Sequence, residues 1–123
     1  MKFLKVSFYL SNIILFIFYL YPGSLFGCIF YNNCSVDLQI TKDFIVSSNH
    51  FYVFLVFSLL GILCFHKKLK NILYYLFSLS VILELLQIIV PVRTFEFADL
   101  LGNILGVLLS LILFKLFLFR RFR

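Results

Sequence analysis

The sequence predicts an all-α membrane protein, a bundle of four transmembrane helices with antiparallel neighbours and both termini in the cytoplasm. Three observations carry that prediction. Hydrophobic residues make up 63% of the chain and charged residues 13%, and the mean hydropathy is +1.10. A soluble domain of 123 residues needs far more polar surface to cover its core. The apolar residues fall into blocks near the length a helix needs to cross about 30 Å of hydrocarbon, roughly 20 residues. Basic residues gather at the ends of these blocks, on alternate connections.

The first span is expected over residues 3–21, behind Lys2 and Lys5. A loop over 22–49 follows, carrying the turn signals Pro22-Gly23 and Asn32-Asn33. Within it, residues 44–46 read either as a short interfacial helix or as the beginning of the second span. That span, 50–65, is the shortest, and completes its crossing by borrowing 45–49 or by tilting. The short connection at 66–70 makes the second and third spans an antiparallel pair. The third runs over 69–90 and stops at Pro91, because proline disfavours helix at the residue before it. A tight connection over 92–97 pairs it with the fourth span, 98–119. Residues 1–123 read as one membrane domain with no linker or internal repeat.

With four spans, Lys2, Lys5, Lys67, Lys68, Lys70, Lys115, Arg120, Arg121 and Arg123 share one side. Of the 11 basic residues, Lys42 and Arg93 fall on the other, with Asp37, Asp43, Glu96 and Asp99. The positive-inside rule puts the first side in the cytoplasm, which makes 22–49 an external loop. The net charge of +6 therefore belongs to membrane edges, and the expected partners are membrane lipids rather than nucleic acid.

Cys28 and Cys34 lie in the external loop, where an oxidising compartment would let them form a disulfide; the alternative is two unpaired small side chains. Cys64 reads as packing. No cysteine or histidine spacing suggests a metal site, and no cofactor is expected. The N-terminus has a competing reading as a secretory signal. Lys2 and Lys5 precede an apolar stretch, and Leu25-Phe26-Gly27-Cys28 resembles a lipobox cut before Cys28. Against it stand bulky Phe26 and the polar break Tyr21-Pro22-Gly23-Ser24.

Function concentrates in a polar series between Glu84 and Gly106: Glu84, Gln87, Arg93, Asp99, Asn103 and Gly106. Charges in hydrocarbon cost roughly 2.5–3.5 kcal/mol on insertion scales, so such groups are kept where they satisfy one another or serve a ligand. Ser80, Glu84 and Gln87 follow i, i+4, i+7 spacing and share one helix face. Asp99, Asn103, Gly106 and Ser110 share another, with Gly102 beside them. Gly102 and Gly106 form a small-residue helix-packing seam, expected to bring Asp99 and Asn103 against Glu84 and Gln87. Glu84 lies seven residues before Pro91, about 10 Å below the outer boundary at 1.5 Å per residue. Together with His50, which opens the second span, the series gathers in the outer half of the bilayer.

Each residue also has a structural reading. Gln87 and Asn103 serve as glue between helices, Asp99 as an N-cap, and Glu84 as a neutral acid hydrogen-bonded to an amide. Arg93 pairs with Glu96 or Asp99 or reaches lipid phosphate, and His50 is a polar ring at an interface. Their convergence is what makes His50, Glu84, Gln87, Arg93, Asp99 and Asn103 candidate ligand-binding residues.

The pattern Glu84-x2-Gln87-x5-Arg93-x5-Asp99-x3-Asn103-x2-Gly106, with His50 heading the preceding helix, resembles the VanZ-like family of small bacterial membrane proteins. The resemblance covers residues 50–113, which form a VanZ-like core, and implies a multi-pass protein of the cytoplasmic membrane. Members often carry Asp-Lys shortly before the histidine; here Val46-Ser47 occupy those positions, and Asp43 is the nearest acid upstream. A second glycine often follows the first, where this chain has Ser110. The resemblance supplies no molecular activity. The leading expectation is a polar site for a lipid head group or a lipid-linked envelope precursor. The alternatives are an intramembrane enzyme acting on a lipid, with Glu84 or His50 as acid-base, and a structural subunit of a homo- or hetero-oligomeric membrane complex.

Overall fold

Helix is the one regular structure among the described residues, as expected of a chain whose backbone must satisfy itself in hydrocarbon. The computed structural model describes residues 1–22, 25–33, 48–91 and 94–122. Helix α1 runs Lys2–Leu20, α2 Leu25–Tyr31, α3 Ser48–Cys64, α4 Leu69–Leu86 and α5 Phe97–Leu113. A 3-10 turn, His66–Lys68, leads into α4, and another, Gln87–Ile89, follows it. A π-helical turn, Phe114–Leu118, extends α5 into a last helical turn, Phe119–Phe122.

With these extensions, Lys2–Leu20, His66–Ile89 and Phe97–Leu118 are long and apolar enough to cross a membrane, at 19, 24 and 22 residues. Helix α3 is apolar but shorter at 17 residues, about 25 Å at 1.5 Å per residue. Val90 ends the α4 segment in an extended conformation, φ −85 and ψ 130, which is the geometry Pro91 imposes on its predecessor. Helix α2 was not anticipated in the loop over 22–49. It is followed by Asn32, which takes a positive φ of 50, a conformation that Asn tolerates better than most side chains. Residues 34–47, including Cys34, Lys42, Asp43 and the stretch 44–46, lie outside the described residues. Cys28 is disulfide-bonded, and Cys64 is free and buried.

Lipid-facing residues such as Val6, Ile13, Ile17, Ile88 and Leu116 are exposed and apolar, as a hydrocarbon solvent allows. Inward faces are narrow. Helix α1 contributes Phe8, Leu15 and Tyr19, spaced i, i+7, i+11, and α4 contributes Ile72, Leu76, Leu79 and Leu83. Phe8 stacks on Phe57 of α3 at 5.1 Å between centroids.

Helices α3 and α5 approach to backbone contact at Gly106. A Cβ added to Gly106 would meet the Phe51 carbonyl oxygen at 2.7 Å and the Leu55 nitrogen at 2.8 Å. Gly106 therefore packs on α3, while Asn103 on the same helix reaches α4 as the spacing of the polar series suggested. Spacing along one helix defines a face without naming the partner that covers it.

Gly106→Ala is expected to destabilise by an amount on the order of 1–3 kcal/mol, since two backbones must separate. Gly61→Ala meets the Phe8 ring, with Cε2 at 2.8 Å from the added carbon, and a side chain yields more easily than a backbone. Thermal unfolding in detergent should rank Gly106→Ala well below Gly61→Ala.

Candidate functional site

The last turn of α1 supplies the centre of the polar cluster. A helix C-terminus leaves carbonyl groups without intrahelical partners, and the Gln87 side chain answers one of them. Its Nε2 donates to the Tyr19 carbonyl at 3.1 Å. The Tyr19 hydroxyl donates to Asn103 Oδ1 at 2.7 Å. Asn103 Nδ2 in turn donates to the Ser80 carbonyl at 3.3 Å. One amide thus bonds to α1 and α4 from its place on α5. Asn103 and Ser80 are fully buried and Gln87 nearly so, so these bonds form where water cannot replace them.

The second half of the cluster is ionisable. Glu84 is fully buried, and its Oε1 accepts the Glu96 backbone N–H at 3.3 Å. Glu96 is the N-cap of α5 and makes no side-chain capping bond. Asp99 was expected to be that cap. It sits instead in the first helical turn, where the helix dipole favours a carboxylate and where it faces α3. His50 Nδ1 lies 3.6 Å from Asp99 Oδ1, with both side chains 16% exposed. The Tyr19 ring meets the imidazole edge-on at 4.9 Å between centroids.

His50, Glu84 and Asp99 each place one donor atom within 4.8 Å of the others. They come from three helices, which explains why no metal-ligand spacing shows in the sequence. These are the residues able to hold a cation, and they include two carboxylates that an apolar surround tolerates only when protonated or opposed by positive charge.

The fold therefore draws His50, Glu84, Gln87, Asp99 and Asn103 to one end of the bundle. Arg93 lies outside the described residues. Gly102, Gly106 and Ser110 are buried on the α5 face, and Ser110 bonds the Val107 carbonyl of its own helix at 2.7 Å. His50 takes its carboxylate partner from α5, through Asp99, although the acid shortly upstream of it is missing from this sequence. Sequence reasoning missed Tyr19. A tyrosine ending an apolar span matches any aromatic at a membrane interface, and nothing in a chain of 18 Phe and 7 Tyr singles it out. Cleavage before Cys28 would remove Tyr19 and open the cluster.

These features define an all-helical membrane protein with a buried polar cluster at one end of its bundle. The chain belongs to the VanZ/LLP1 family, whose model matches residues 3–119, nearly its whole length and including α1. Comparison with curated proteins and with solved structures returned no match.

Tyr19→Phe should lower stability by about 1–3 kcal/mol, the usual penalty for stranding a buried acceptor. Tyr75→Phe removes a bond of the same length, to Asn12 Oδ1 at 2.7 Å, at an exposed position, and should cost clearly less. Unfolding of both variants in one detergent checks the difference.

Proposed function

We propose that this is a multi-pass protein of the bacterial cytoplasmic membrane whose polar cluster receives a lipid head group or a lipid-linked envelope precursor. Four spans, with both termini cytoplasmic, follow from the one-sided placement of the basic residues and put the cluster in the outer half of the bilayer. The observation that carries the reading is the division within the cluster. Tyr19, Gln87 and Asn103 spend their hydrogen bonds on one another and on backbone, and so act as scaffold. His50 and Asp99 keep 16% of their surface exposed and form the face a ligand would touch.

The chemistry of that face suits a ligand carrying hydroxyl or ammonium donors. The Asp99 carboxylate would accept from such groups, with Glu84 buried behind it, and Arg93 would contact the phosphate of the same head group. Membrane lipids are the general partners, and self-association or a larger complex remains compatible with the exposed apolar faces.

Lipid-linked precursors retained by the purified protein in nanodiscs provide the test. Asp99→Ala and Arg93→Ala should each reduce retention roughly ten- to hundredfold, as loss of a charge-assisted hydrogen bond implies, without loss of membrane insertion. Full retention in both variants contradicts a binding site.

One observation favours a second reading, enzymatic action on a lipid. The His50–Asp99 pair has the arrangement by which a carboxylate orients an imidazole for acid-base work. Labelled polar lipids incubated with the protein should then be converted, and conversion should disappear in His50→Ala. Unchanged lipid leaves the binding reading alone.

A further inference from the structure

Tyr19 and Lys5 are separated along α1 by 14 residues of the sequence, about 21 Å at 1.5 Å per residue. The end of the bundle near Lys5 holds a different feature. An open cavity of about 300 Å³ lies between α1 and α4. Phe8, Phe65, Ile72 and Tyr75 provide its apolar wall, and the exposed side chains of Lys68 and Asn71 also line it. Lys5 places its ammonium 5.9 Å from the centroid of the Phe65 ring, so a second cation borders the same wall.

These cations have no acidic neighbour on the helices that form the cavity. The sequence has no Asp or Glu before Asp37, and none between Phe44 and Leu83. Glu84 on α4 is occupied at the far end of the bundle, with Glu96 and the polar cluster. The end of α5 offers Lys115, Arg120 and Arg121 and no acid beyond Asp99. An apolar groove at a membrane edge, bordered by ammonium groups without carboxylates, is complementary to one kind of molecule in its surroundings.

We propose that this groove binds one anionic phospholipid, with part of an acyl chain along Phe8, Ile72 and Tyr75 and the phosphate between Lys68, Asn71 and Lys5. A volume of about 300 Å³ is at the lower limit of small-molecule pockets, which suits a segment of one chain rather than a whole lipid. The Tyr75 hydroxyl is turned to Asn12 at 2.7 Å, so this polar atom is satisfied within the protein and leaves the ring for the acyl chain. Lys70 serves as an internal contrast. Its ammonium lies 5.9 Å over the Tyr74 ring and does not line the groove. The site is separate from the polar cluster and does not rest on its proposed ligand.

Native mass spectrometry of the intact protein, offered equal phosphatidylglycerol and phosphatidylcholine, tests the proposal. One phosphatidylglycerol per chain should be retained in preference. Lys5→Gln and Lys68→Gln should each lower that preference roughly fivefold and Lys70→Gln by less than about twofold, given the usual contribution of a lysine near anionic lipid. Because these side chains are exposed, the variants should fold as the parent does. Equal retention of the two lipids, or equal losses in Lys68→Gln and Lys70→Gln, overturns the proposal.

Discussion

A carboxamide buried in an apolar bundle must find its hydrogen bonds in other helices, and Asn103 does so in two directions. Its oxygen takes the Tyr19 hydroxyl of α1 and its nitrogen reaches the Ser80 carbonyl of α4. Lipid tails provide no hydrophobic force to press helices together, so packing and such bonds set the register. Gln87 strengthens the same junction by capping the end of α1. Gly106, by letting α3 approach to backbone contact, brings in the fourth helix and with it His50.

The two ends of the bundle differ in kind. One gathers acids, amides and an imidazole in a closed network, with His50 and Asp99 as its accessible edge. The other carries cations beside an apolar groove, and the one acid on the helices that line it, Glu84, lies at the opposite end of α4. The bundle thus carries opposite chemistry at its two ends. Both features are compatible with lipid recognition, by different means: hydrogen-bond acceptors at one end and ammonium groups at the other.

Much of this was legible in the sequence. The apolar blocks located the helices to within a few residues, Pro91 marked the end of the α4 segment, and the spaced polar series named four residues, Glu84, Gln87, Asp99 and Asn103, that the fold brings together with His50. The rest was hidden for identifiable reasons. Tyr19 carries its hydrogen-bonding hydroxyl on an aromatic ring, and its position at the end of an apolar span does not single it out. The partner of the glycine seam depends on which helix can approach, a property of two surfaces that no single pattern contains. The displacement of Asp99 from the cap position to the first turn is a shift of three residues, yet it decides that this carboxylate meets His50. The cluster of His50, Glu84 and Asp99 joins three helices, so no local spacing could announce it.

The central claim is that the ends of α1, α3, α4 and α5 meet at one polar junction. Paired cysteines at positions 19 and 103, and separately at 50 and 99, with Cys64 replaced by serine, test it most directly in native membranes. Short bifunctional thiol reagents should bridge both pairs rapidly, and a control pair at the lipid-facing positions 13 and 88 should remain unbridged. Absence of bridging at 19–103 and 50–99, with those positions instead labelled by membrane-soluble reagents, would contradict the account.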